Sequence, residues 1–388
     1  MLVALYLLLS FLILVMEVDG LKVVYISTYP PIPCGVGVYT SKLLKEVKKH
    51  IEAFVIGPKG SSADFVAESF IFRKHEDYAE EIFSYAEELN PDVIHIQHEY
   101  GIWGYGEEFF KLLNLLKKLD AKIVITMHSV DHPLRKENVV AYNRKIGKIV
   151  DAIIVHSTLQ EFELAIQGVE HKKIRVIPHG TDILKPIKSE KAKEKLGISE
   201  EIKTFGYVGF IRRDKRLVDL VYALEIIKKK MKNVLLIIAG KPQRKVHEEH
   251  YLKNLKPVIE GRNDVLHVNK FLSEEEYILY MSALDVVVFP YVGLSERRRY
   301  AVSGAFHHAL SLAKAIVASR TPRLYEYLLL APELTFIPGD YETLAEKVLL
   351  LFQNKEIYQK VLEKIRDYAQ KTSWKEVAKQ HISLYKSL

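Results

Sequence analysis

The chain has 388 residues, 48% hydrophobic and 27% charged, which is enough for two domains with separate cores. Its net charge of +7, from 56 Lys+Arg against 49 Asp+Glu, suits a phosphate-bearing ligand or an anionic membrane surface and is too diffuse for nucleic acid. The single cysteine, Cys34, excludes an internal disulfide framework and a cysteine-cluster metal site.

The first sixteen residues are almost wholly apolar. They read as a signal sequence, a membrane anchor, or sequence upstream of a true start at Met16. No Lys or Arg precedes Lys22 and no small-residue cleavage site follows, which favours the last reading, so residues 1–20 are set apart. Short Val- and Ile-rich runs then recur at Lys22–Ser27, Ile51–Ile56, Asp92–Gln97, Lys122–Thr126, Ala152–His156 and Ile174–Ile177. Helical patterns lie between them, as at Val38–Lys48, Tyr78–Leu89 and Gly106–Leu119. Continuously apolar strands joined by helices predict a parallel sheet covered on both faces. Residues 183–203 contain Pro186 and dense charge and no core strand, and they read as a linker with a short surface helix. The alternation restarts with strands at Thr204–Val208, Val234–Ala239, Val265–Val268, Val286–Phe289, Ala315–Ala318 and Leu334–Ile337. Helical sequence from Lys355 to Leu388 breaks at Thr372–Ser373. The expected domains are 21–183 and 204–371, with 184–203 between them and a terminal helix over 372–388. Both are expected to be doubly wound α/β domains facing across a cleft, with ligands at the carboxyl ends of the strands.

Several strand-end stretches carry candidate chemistry. Gly35 and Gly37, in TYPPIPCGVGVYT, follow the first strand and start a helix. The pattern is not G-x-G-x-x-G, and a plain strand-to-helix turn competes with a ligand loop. His98 and Glu99 end the third strand and are candidates for a cleft or acceptor role. His95 and His98 are not a metal pair without further ligands. His128 ends the fourth strand, where an imidazole could hold a sugar hydroxyl or steady developing charge. Gly209, Arg212 and Lys215 lie in GFIRRDK, where the two cations can converge on one diphosphate. A solvated charge run is the alternative there. Ser303 and Gly304 precede an apolar run, so a serine-capped helix start offers free N–H groups to an anion. Alone this is an ordinary capped helix; the second glycine-rich helix start near the N-terminus turns the reading toward a ligand.

Over about residues 20–388 the chain resembles the family-4 glycosyltransferases of the GT-B fold. TYPPIPCGVGVYT is similar to that family's glycine-rich loop, and VIPHGTD to its V-I-P-N-G-V-D segment. GFIRRDKRLVDLVYAL resembles the phosphate element G-R-x-x-x-x-K-G, and LSEEEYILYMSALDVVVFPY the lead into the donor site. Ser373–Tyr385 resembles the terminal S-W-x-x-x-A helix that crosses back to the first domain. The family's acidic pair would fall on Tyr300 and His308, neither acidic, and its phosphate-element Arg on Phe210. The resemblance implies a retaining, metal-independent hexosyltransferase with no cofactor, taking a nucleoside diphosphate sugar as co-substrate. The acceptor would be a glycan, lipid or small molecule, and the setting cytoplasmic or the inner face of a membrane with peripheral contact. On this reading Arg212, Lys215 and His128 are catalytic. Gly35, Gly37, Gly209, Ser303 and Gly304 bind donor, and Glu326 joins them by position. A nucleotide-sugar epimerase, a phosphorylase and a non-catalytic binding subunit stay open. Few Gln with many Lys, Glu and Tyr fit a heat-adapted protein.

Overall fold

The computed structural model describes residues 19–68, 78–242, 245–292 and 299–388. The apolar segment's readings fall on residues 1–18, outside the described ones. The chain divides into two compact units, one running to Gly180 and including Trp374–Leu388, the other continuous over Thr181–Ser373.

The first unit is built on seven parallel strands: β1 Asp19–Ile26, β2 Ile51–Pro58, β3 Phe65–Ala67, β4 Val93–His98, β5 Lys122–Met127, β6 Ala152–Val155 and β7 Ile174–Val176. Their spatial order is β3-β2-β1-β4-β5-β6-β7. The connecting helices include α1 Gly35–Val47, α2 Ala79–Leu89, α3 Glu107–Leu116, α4 Val139–Ile149 and α5 Thr158–Ile166. Strands such as β4 are buried along their whole length, as their unbroken apolar runs require. The order reverses between β1 and β4, so the loops after these strands flank a topological switch point.

The second unit repeats the scheme with β8 Lys203–Val208, β9 Val234–Ala239, β10 Val265–Val268, β11 Val286–Phe289, β12 Ala315–Ser319 and β13 Thr335–Phe336, in the order β10-β9-β8-β11-β12-β13. Here the reversal lies between β8 and β11. Its helices include α6 Val218–Lys230, α7 Glu274–Ala283, α8 Gly304–Ser311, α9 Tyr325–Leu330, α10 Tyr341–Gln353 and α11 Lys355–Lys371. A final helix, α12 Trp374–Lys386, packs on α1 in the first unit and buries Val377, Ile382 and Leu384 there. Each such side chain contributes about 1.5–3 kcal/mol of burial, so the docking is firm.

One expected boundary is corrected. Residues 184–203 are part of the second unit rather than a linker. The helix Ser189–Lys195 buries Ala192 in that unit's core, and Ile198 joins it. The dense charge hides this face because one of its lysines is itself buried and paired. Lys193 Nζ meets Asp285 Oδ2 at 2.8 Å and the Ile202 carbonyl at 2.9 Å. The short edge strand β3 is also absent from the sequence expectation.

Candidate active site

In the first unit, α1 begins at the switch point with exposed Gly35 and buried Gly37. A Cβ on Gly37 would lie 3.1 Å from the Thr28 carbonyl oxygen, so this glycine lets the helix close on the preceding loop. A Cβ on Gly35 would meet nothing within 4 Å, leaving its face open to a ligand.

His98 does not face a cleft. It is fully buried, with Nε2 2.9 Å from the Tyr142 hydroxyl and its ring edge-on to Tyr100 at 4.9 Å. The pleat turns it into the apolar face under α3 and α4, opposite to His95. Glu99 is half-buried and accepts from the Ser129 hydroxyl at 2.6 Å.

His128 is half-buried and tied at both ring nitrogens. Nε2 lies 2.8 Å from Gln97 Oε1, and Nδ1 lies 3.2 Å from His156 Nε2. A sugar hydroxyl reaching either nitrogen must therefore displace one of these partners. Burial, followed by the nearby His156, His98 and His381, pushes the His128 pKa well below the ordinary imidazole value. Tyr39 of α1 gathers His128, His156, His179 and Trp374 around its ring at 4.7, 5.2, 5.2 and 5.1 Å. Sequence reasoning missed His156. The available signal was positional, since His98, His128 and His156 all stand at the carboxyl ends of neighbouring strands.

In the second unit, the loops after β8 and β11 bring the expected residues together. Gly209 has φ +140°, and Gly240 has φ +137° with a would-be Cβ only 2.0 Å from the Gly209 carbonyl oxygen. Both glycines are demanded by this backbone approach. Arg212 Nε meets Asp214 Oδ1 at 3.0 Å. Burial alone would raise the Asp214 pKa, but Lys215, Arg212 and Arg323 together hold it below the usual carboxylate value. Lys215 Nζ sits 3.3 Å from the centre of the Tyr291 ring. The Tyr291 hydroxyl lies 3.4 Å from Ser303 Oγ. Ser303 caps α8 by accepting from Phe306 N, and a Cβ on the following Gly304 would meet open space. Arg212, Lys215 and Ser303 thus belong to one constellation centred on Tyr291, whose own pKa burial pushes up to about 12.

Three cations around one carboxylate leave this end of the sheet positive, beside a capped helix start that favours anions. Tyr291, Asp214 and Arg323 were not expected; they reach the site from separate loops. Glu326 is held within the unit. It accepts from the Tyr368 hydroxyl at 2.6 Å and lies 3.4 Å from His307 Nε2. Among the described residues no helix is long and apolar enough to cross a membrane.

Residues 33–184 match Glycosyltransferase Family 4, and residues 188–372 match Glycosyl transferases group 1. The chain belongs to the family-4, group 1 glycosyltransferases. No curated protein matches it significantly by sequence. Among solved structures it is similar to Anabaena HepE in complex with UDP, with a TM-score of 0.76 and 16% identity over 95% of this chain and 100% of that one. It is also similar to a glycosyltransferase from Rickettsia africae, with a TM-score of 0.73 and 15% identity over 95% and 98% of the two chains. Sucrose-phosphate synthase from Thermosynechococcus elongatus gives 0.68 and 18% over 95% and 98%. The fold is GT-B.

Proposed function

We propose that this glycosyltransferase is a retaining enzyme that moves a hexose from a nucleoside diphosphate sugar to an acceptor hydroxyl, with UDP as the nucleotide. The supporting observation is the gathering of Arg212, Lys215 and Arg323 about Asp214 and Tyr291, next to the Ser303-capped start of α8. A leaving diphosphate gains negative charge as the glycosidic bond breaks. Fixed cations then act more strongly on the transition state than on the ground state. The reading assigns the diphosphate to Arg212, Lys215, Gly304 and the α8 N–H groups, and donor approach to Gly35 and Gly209. It gives acceptor handling to the first unit and the steadying of the sugar to neutral His128. The UDP in the HepE complex supports the choice of base.

A thermal-shift series with UDP, UDP-sugars and free nucleoside, run beside a donor hydrolysis assay, tests the proposal. Stabilisation by the diphosphate with slow hydrolysis is expected; no stabilisation by any nucleoside diphosphate would overturn it. A second reading, a non-catalytic nucleotide-sugar-binding subunit, is favoured by Tyr300 and the exposed His308 at the acidic-pair positions. Binding without hydrolysis or transfer selects it.

A further inference from the structure

The contacts around His128 restrict its protonation to two arrangements. The Ile177 carbonyl lies 3.1 Å from His156 Nδ1 and can only accept, so that nitrogen carries a hydrogen. In neutral His156 the other nitrogen, Nε2, is then a bare acceptor, and the group facing it is His128 Nδ1. His128 Nδ1 must therefore donate. A neutral His128 has its second nitrogen bare, and the Gln97 amide must point its NH₂ there. With the amide oxygen toward Nε2, as it stands in the structure, the His128–His156 pair must hold one extra proton, which burial and the neighbouring imidazoles oppose; a neutral pair needs the amide turned over from that placement. The two arrangements differ by a half-turn of the amide. The orientation of Gln97 and the charge on the pair are one variable.

The consequence runs deeper into the unit. With its NH₂ toward His128, Gln97 presents its oxygen to His95, whose Nε2 must carry the hydrogen and also faces Thr126 Oγ1 at 2.7 Å. His95 Nδ1 is then bare and accepts from the Tyr385 hydroxyl at 2.6 Å, which accepts from Tyr25 at 2.7 Å. Every hydrogen from Tyr25 through Tyr385, His95, Gln97, His128 and His156 then points the same way, ending on the Ile177 carbonyl. Tyr25, His95, Gln97, Thr126 and His156 are almost wholly buried, so each unmade bond would cost about 1–3 kcal/mol.

We propose that Gln97 and His156 are positioning residues that hold His128 as the neutral Nδ1–H tautomer in this one-way chain, and that a proton taken up by the His128–His156 pair turns the Gln97 amide over. The inference deepens the role given to His128 above, and concerns the first unit alone. His128 is contacted by Gln97, His156 and the Tyr39 ring, and the other titratable groups that act on it through charge are the imidazoles of His98 and His381.

Nitrogen NMR of the labelled histidine rings, with His128 assigned by its absence from His128→Asn, reads the tautomer directly. Near neutral pH, His128 is expected to carry its hydrogen on Nδ1 alone. In Gln97→Glu a carboxylate can only accept, so the pair should titrate about one to three units higher. A hydrogen on Nε2 alone in the parent protein near neutral pH would overturn the proposal, as would an unchanged midpoint in folded Gln97→Glu. If that variant does not fold, the parent tautomer decides. The readout needs no sugar transfer, so the proposed activity can fail while this result stands.

Discussion

Gly180 lies directly beneath the indole of Trp374: a Cβ at position 180 would sit 2.2 Å from the ring. The glycine of VIPHGTD and the tryptophan of the terminal helix are thus a single packing unit. Gly180→Ala should destabilise the first unit by about 1–3 kcal/mol through overpacking, seen as a lower melting temperature and altered tryptophan emission. Because the clash is with one ring, Gly180→Ala combined with Trp374→Leu should cost less than the two single changes added. Strict additivity would show that the clash is relieved elsewhere.

The cation cluster predicts a graded loss of anion affinity. Arg212→Gln and Lys215→Met should each lower kcat/KM roughly tenfold to a hundredfold, from the loss of about 1.5–3 kcal/mol of charge-assisted contact. Nucleoside diphosphate affinity should fall in parallel while nucleoside affinity barely moves. Asp214→Asn, which removes the carboxylate opposing these cations, should tighten diphosphate binding. Parental diphosphate affinity in both cation variants would place the anion site elsewhere.

Gly35 and Gly37 should separate ligand approach from packing. Gly37→Ala crowds the Thr28 carbonyl and should lower the melting temperature of the free protein. Gly35→Ala has open space and gains helix propensity, up to about 1 kcal/mol, so the free protein should be as stable as the parent or more so. Weaker donor binding in Gly35→Ala alone would place the donor against this face. Equal donor affinity in that variant would show the turn to be structural only.

Lys314 should impose a pH dependence on stability. It is 8% exposed, donates to the Ser282 carbonyl at 3.1 Å, and burial lowers its pKa to about 8. Below this value both folded and unfolded chains carry the charge, and the fold bears the whole cost of burying it. Between about 8 and the unfolded value of 10.5 the unfolded chain holds more protons, so stability rises with pH across that window. The gain is roughly 3 kcal/mol at most. Lys314→Met should be more stable than the parent near neutral pH, and the difference should shrink as pH rises through the window. Parallel denaturation curves for the two proteins across that range would refute the assignment.

Much of this was readable in the sequence, for local reasons. The unbroken runs VVYI and VLLIIA can only be covered strands, and Ser303 announces its helix by its own side chain. Strand β3 escaped because three residues carry no period. A short helix was expected near Ser189–Lys195, but its burial escaped because a buried lysine reads as a surface one until Asp285, distant in the chain, is placed beside it. His95 and His98 differ in role through the pleat of one strand, which composition does not reveal. Tyr291 and Arg323 gain their meaning only where the loops after β8, β11 and β12 converge.

The chain order of the pieces has a consequence for biosynthesis. Trp374 covers Gly180, and Tyr385 closes the hydrogen bonds of His95 and Tyr25, yet both emerge after the whole of the second unit. Domains that leave the ribosome first usually fold first. Here the continuous second unit has its full sequence in hand while the first still exposes the surface of α1 that α12 will cover. The part of the molecule translated earliest cannot complete its packing until the last residues emerge, and a premature stop anywhere before Trp374 leaves His95 without its Tyr385 partner and Gly180 without its indole cover.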